Sequence, residues 1–203
     1  MSKVIRELPA VALRGMTIMP SMVIHFDLSR KKSIQAVETA MQADGRIFVV
    51  AQIDASIEDP NFEDVHKVGT IVEVKQISKL PNGIVRVLVL GTGRGKLLAF
   101  DETLDEYLKA QVEELPKRVD ELDEVTQEAM LRQLKELFEE YIKYNPKLGK
   151  ALAAKMQVME ELEDTIDHIC MAMPLTYDSK QKILELETLQ ERQDALAYIL
   201  SNE

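Results

Sequence analysis

Residues 68–90, VGTIVEVKQISKLPNGIVRVLVL, constrain the fold more than any other stretch of the chain. Val72 and Val74 alternate with Glu73 and Lys75, and Val85, Val87 and Val89 alternate with Arg86 and Leu88. A period of two built on β-branched residues marks strands with one buried face. Between the two runs lies Leu80-Pro81-Asn82-Gly83. Pro81 presets φ for the first central position of a type I turn, and Asn82 suits the second. Gly83 can then take the left-handed position that closes a three-residue hairpin loop. Pairing the strands gathers their valines on one face, and that face requires a second layer.

The flanking residues can supply that layer. Leu8 to Leu13 is an apolar run bounded by Pro9 and by Arg14-Gly15, suited to an edge strand. Val23 to Leu28 alternates as a strand. Ser29 is a candidate N-cap for a helix with Ile34, Val37 and Met41 on one face, ending near Asp44-Gly45. Arg30, Lys31 and Lys32 occupy its first turn, where the helix dipole disfavours cations, and they read as solvated. Ile47 to Ala51 is continuously apolar, as in a strand buried on both faces. An acidic loop over residues 53–67 leads into the hairpin. After Gly91, Lys96 to Phe100 and Tyr107 to Leu115 provide two more strands. Residues 1–117 thus form a β-rich unit with one helix.

From Asp120 the apolar period lengthens to about 3.6. Leu122, Val125, Ala129, Leu134, Leu137, Phe138, Tyr141 and Ile142 make one stripe, halted at Asn145-Pro146. A second stripe runs from Leu148 to Met173, with a break expected near Gln157 and a stop at Pro174. Asp178 can cap a third helix, and Thr188 with Glu191 forms a capping box for a last one. No capping residue follows that helix before Glu203, so further protein is expected beyond it. Residues 118–203 read as an all-α bundle, and the fold class is α+β.

Charge is unevenly placed. Residues 1–100 carry 13 Lys/Arg against 10 Asp/Glu, whereas residues 101–203 carry 12 against 25. The second half is therefore a poor match to a phosphate backbone. The single cysteine, Cys170, excludes an internal disulfide and fits a reducing compartment. No apolar run reaches the ~18–20 residues needed to span a bilayer. These features lead us to expect a cytoplasmic protein with no membrane partner.

Catalytic and ligand-binding patterns are sparse. In Leu90 to Leu97, LGTGRGKL, a phosphate-binding loop would need Gly at position 90 and Ser or Thr at 97, and both are Leu. The stretch reads as a glycine bend between strands. His25, His66 and His168 have no second ligand at zinc spacing. No catalytic residue, metal site or cofactor site is expected in this chain. One odd segment remains: Met16, Ile18, Met19 and Met22 fall within seven residues around Pro20. They pack a core, or they form an adaptable apolar surface, since thioethers repack against varied partners. Met173-Pro174-Leu175 is a second candidate for such a surface.

Several segments together resemble the amino-terminal domain of the bacterial Lon family of ATP-dependent proteases. They are LPAVALRGMTIMPSMVIHFDLSRKKSIQAVETAM, IFVVAQIDASIEDP, VGTIVEVKQISKLPNGIVRVLVLG, MPLTYDSKQKILE and LQERQDALAYIL, in the family's order and over nearly the whole chain. The resemblance implies a pseudo-barrel subdomain followed by a helical subdomain, and a parent enzyme with an AAA+ ATPase, using ATP and Mg, and a Ser-Lys protease. It implies a role in capturing unfolded or degron-bearing proteins and in supporting a hexamer. A free-standing LON-type adaptor or peptide-binding protein is the alternative. RNA binding is a third reading, opposed by the acidic second half and by the lack of interleaved aromatic and basic residues.

Overall fold

The computed structural model describes residues 3–101, 103–115, 122–145 and 150–202, without the side chains of Lys150 and Ala151. The chain divides into two compact units, Met1–Lys117 and Arg118–Glu203. The first contains strands β1 (Ile5–Leu13), β2 (Val23–Leu28), β3 (Arg46–Ala51), β4 (Val68–Lys79), β5 (Val85–Phe100) and β6 (Leu108–Leu115), with helix α1 (Lys31–Met41). Their order is β2-β5-β4-β3-β1-β6, and β6 returns to pair with β5. The sheet therefore closes on itself as a barrel, and the α+β class holds.

The β4–β5 hairpin is the hub of this unit. Val72, Val74, Val85, Val87 and Val89 join one buried cluster with Val11, Leu13, Phe26 and Val37. The alternation that shaped the hairpin thus also supplies the face on which α1 packs. The turn differs from a type I turn with a glycine bulge, because Asn82 itself is left-handed (φ 67°, ψ 20°), followed by Gly83 at φ 75°. Asn tolerates this region because its short polar side chain can bond locally.

Residues 90–97 are not a bend. They lie inside β5, a strand of 16 residues. Glycine is needed there for close approach. A Cβ on Gly91 would lie 2.9 Å from the Met19 carbonyl oxygen, and one on Gly95 2.4 Å from Val112 Cγ1. Gly95 pairs with Gly69 on β4, whose Cβ would fall 2.3 Å from the Val49 carbonyl oxygen and 2.7 Å from Phe48 Cζ. The Phe48 ring thus occupies space that two opposed glycines leave vacant.

β1 is not an edge strand, because it pairs in parallel with β3 and antiparallel with β6. The proline is accommodated by register. The Glu114 amide donates to Val4 O, so even-numbered residues of β1 bond to β6 and Pro9 faces away from it. Pairing with β3 starts only at Ala10. β3 is buried along Ile47 to Ala51, with Ile47 and Val49 in the cluster under α1. Phe48 and Val50 lie in a second cluster with Leu8, Ile71, Leu97 and Val112.

Helix α1 starts one residue later than Ser29 would place it. Its N-cap is Arg30, with no side-chain capping bond, and its buried residues are Ser33, Ala36, Val37 and Ala40. Ile34 packs at the margin and Met41 is exposed. Small side chains on the inner face let the helix approach β1 closely.

The second unit holds α2 (Glu124–Tyr144), α3 (Lys150–Gln157), α4 (Leu162–Ala172), α5 (Tyr177–Glu185) and α6 (Leu189–Asn202). The stripe from Met156 to Met173 breaks after Gln157, as its sequence suggests; Leu148 lies outside the described residues. In α2 the buried side chains are Met130, Leu131, Leu134, Phe138 and Tyr141. Val125, five positions before Met130, is turned about 140° away and is exposed. Thr176, not Asp178, caps α5 by accepting from the Ser179 amide. The capping box of α6 is present in both directions: the Glu191 amide donates to Thr188 Oγ1 at 3.1 Å, and the Thr188 amide to Glu191 Oε2 at 3.0 Å. Among the described residues no helix is long and apolar enough to cross a membrane.

Candidate functional site

The barrel has an incomplete seam. β5 is bordered on one side by β4 from Val85 to Lys96, but on the other side by two strands in succession. β2 pairs with Val85 to Leu90, and β6 pairs with Arg94 to Phe100. β6 also leaves β1 after Ala10. The last residues of β1 and the outer edge of β2 therefore have no strand between them. A cleft of about 280 Å³ occupies this gap, lined by Ala12, Leu13, Arg14, Met16, the β2 residues His25 to Leu28, Ser29, Arg30 and Arg86.

Arg30 is the central side chain of the cleft. It does not extend into solvent as the run Arg30-Lys31-Lys32 suggested. One guanidinium nitrogen donates to Gln52 Oε1 at 2.8 Å and to the Glu58 carbonyl at 3.3 Å. The other donates to the Ala12 carbonyl, on the β1 edge that β6 has vacated. Burial, and then the neighbouring Arg14 charge, pull the Arg30 pKa below its ordinary value. Arg14 pairs with the Glu58 carboxylate at 2.8 Å and holds it below the usual carboxylate range. Lys32 bridges Asp59 and Asp105, each at 3.0 Å. On the other rim Arg86 binds Asp27 through two bonds of 2.7 and 2.8 Å, which keep that carboxyl ionised below its usual range. The cleft thus combines an apolar floor with three guanidinium groups.

The segment 16–22 does not form one surface. Met16 is half-buried and lines the cleft. Ile18 and Met19 are 2% and 0% exposed, and the Ile18 carbonyl accepts from Thr70 Oγ1. Met22 is half-buried, with its carbonyl accepting from the Gly91 amide. In the second unit Met173 is buried, while Pro174 is exposed and Leu175 half-buried between α4 and α5. Of the seven candidates, Met16, Met22, Pro174 and Leu175 retain accessible area. The sequence reading missed Arg14, Arg30 and Arg86 as cleft residues. Only the unfavourable placement of Arg30 beside a helix N-terminus hinted that its charge had another use. Among the described residues no cluster of His, Cys, Asp or Glu could hold a metal ion.

Residues 7–202 match the family model described as the ATP-dependent protease La (LON) substrate-binding domain. The chain is 42% identical over 205 residues to the Lon protease of Lachnoclostridium phytofermentans, covering 100% of this chain and 25% of that protein. It is 40% identical over 198 residues to the Lon protease of Brevibacillus choshinensis, covering 98% and 25%. The chain thus spans about a quarter of the length of the curated relatives it matches. Its fold is similar to the N-terminal domain of Mycobacterium avium complex Lon protease, with a TM-score of 0.81 at 19% identity, covering 98% of this chain and 100% of that one.

Proposed function

The chain belongs to the ATP-dependent protease La (LON) substrate-binding domain family, and on that premise we propose that it is the polypeptide-capturing module of a cytoplasmic ATP-dependent protease. In this reading it holds unfolded or degron-bearing proteins for an AAA+ ATPase, where ATP and Mg act, and a Ser-Lys protease in the same longer protein. It also helps that protein assemble as a hexamer. The observation that carries the reading is the open cleft beside Met16, in which a repackable thioether, apolar floor residues and guanidinium groups lie together. Unfolded proteins share exposed apolar segments rather than one sequence, so their receptor needs adaptable apolar area. Each such side chain contributes about 1 kcal/mol or less through buried area, which suits a weak, releasing grip. The chain's own part is binding, and it should hydrolyse neither ATP nor casein.

Fluorescence anisotropy with labelled, permanently unfolded casein tests the proposal. Saturable binding is expected, competed by other unfolded proteins and not by their folded forms. An absence of binding, or equal competition by folded proteins, would refute it.

A further inference from the structure

We propose that the seam between β2 and the end of β1 takes an extended acidic polypeptide segment as an added strand on β2, with a carboxylate of that segment held by Arg30. The proposal rests on the substrate-binding reading and specifies how the segment is held.

The first argument is the main chain of β2. Met22 O accepts from the Gly91 amide, and β2 pairs in register with β5 alone. Even-numbered residues of β2 therefore bond to β5, and the N–H and C=O groups of His25 and Asp27 point to the opposite edge. That edge lines the cleft. An open row of alternating donors and acceptors is a template for a further strand. Phe26 and Leu28 alternate with these residues and face the core, so an added strand in register would find apolar side chains on one face and solvent on the other.

The second argument is charge. Arg30 donates only to neutral acceptors, namely Ala12 O, Gln52 Oε1 and Glu58 O. Among the described residues no carboxylate lies within ion-pair distance of it. A guanidinium has five N–H donors, and three bonds leave two of them uncommitted. Arg14 takes the Glu58 carboxylate, which leaves Arg30 only that residue's neutral carbonyl. Of the three arginines lining the cleft, Arg14 pairs with Glu58 and Arg86 with Asp27, so Arg30 is the one that no carboxylate neutralises directly among the described residues. An arriving carboxylate would give Arg30 that partner through a charge-assisted bond.

The test uses the 203-residue chain and fluorescein-labelled octapeptides of alternating apolar and polar residues. One peptide has a central Asp, and its analogue has Asn. Two further versions of the Asp peptide are N-methylated at alternate residues in opposite phases. We expect the Asp peptide to bind about ten-fold more tightly than the Asn peptide, a preference that Arg30→Gln abolishes. We expect N-methylation in one phase to weaken binding ten-fold or more, and in the other to change it less than two-fold. The methylation series needs no protein variant, so it decides the matter even if Arg30→Gln fails to fold. Equal effects of the two phases, an Asp preference that survives in folded Arg30→Gln, or a β2-mediated dimer that peptide does not displace would each overturn the proposal. If unfolded casein binds but the peptides do not, the seam is wrong and the capture reading stands. If casein also fails, both fall.

Discussion

Arg192 on α6 and Asp167 on α4 form an ion pair in which both side chains are fully withdrawn from solvent. A second contact joins Arg192 to Glu163 at 3.2 Å. Such a pair is costly to desolvate but far costlier to break, because removing one partner strands the other charge. Asp167→Ala is expected to destabilise the helical unit by about 3–5 kcal/mol. The double change Asp167→Leu with Arg192→Met should be near neutral or stabilising. Urea titration followed by helical circular dichroism measures both, and a single variant that loses under ~1 kcal/mol would show the pair to be dispensable.

The barrel makes unequal demands on its glycines. Gly69→Ala sets a methyl group 2.3 Å from the Val49 carbonyl oxygen, a main-chain atom that cannot step aside. Gly93→Ala on β5, opposite Ile71 and two residues along from Gly95, meets nothing within 4 Å. Overpacking of this kind costs about 1–3 kcal/mol, whereas an open surface site changes by about 0.5 kcal/mol or less. Thermal melts of the two variants should therefore separate clearly, with Gly69→Ala the lower. Equal melting temperatures would contradict the closure described for β3, β4 and β5.

Burial, and then the Asp167 charge, push the Cys170 thiol up to about 12. At pH 8 the native protein should hold almost no thiolate there and should react with an aromatic disulfide reagent only on opening of the bundle. The labelling rate should rise with urea in parallel with unfolding. Fast stoichiometric labelling of the native chain would show that α4 is not packed as described.

The methionines near Pro20 should divide by burial. Met19 is 0% exposed, and emptying such a site costs about 2–5 kcal/mol before a hydroxyl is added. Met19→Ser should lower the melting temperature sharply. Met16→Ser removes a half-buried side chain at the cleft margin, and should leave the melt nearly unchanged while weakening capture of unfolded casein. Identical melts for the two variants would contradict the division.

What the sequence made legible was local. The valine alternation of the hairpin, the doubly buried run Ile47 to Ala51 and the Thr188–Glu191 box each depend on neighbours a few residues away, and each recurs in the structure. The misreadings depended on distant partners. Leu8 to Leu13 looked like an edge because Pro9 lacks a donor, yet register places that gap where no bond is required. The glycines of β5 looked like a bend because nothing nearby reveals that Phe48 and Pro20 press against the strand. The ion pair of Asp167 and Arg192 had no local signature, because its partners lie 25 residues apart on different helices, although Arg192 stands on the same helical stripe as Leu189, Leu196 and Leu200. The cleft was illegible for the same reason: its residues come from β1, β2 and β5, which only the closing of the barrel brings together.

The most direct test of capture at the barrel seam is a backbone NMR titration of the 203-residue chain with an unfolded model polypeptide. Saturable shifts or line broadening are predicted at Ala12 to Met16, His25 to Arg30 and Arg86, with the β3–β4 ladder unmoved. Perturbations centred elsewhere, or none at saturating polypeptide, would contradict capture at this seam.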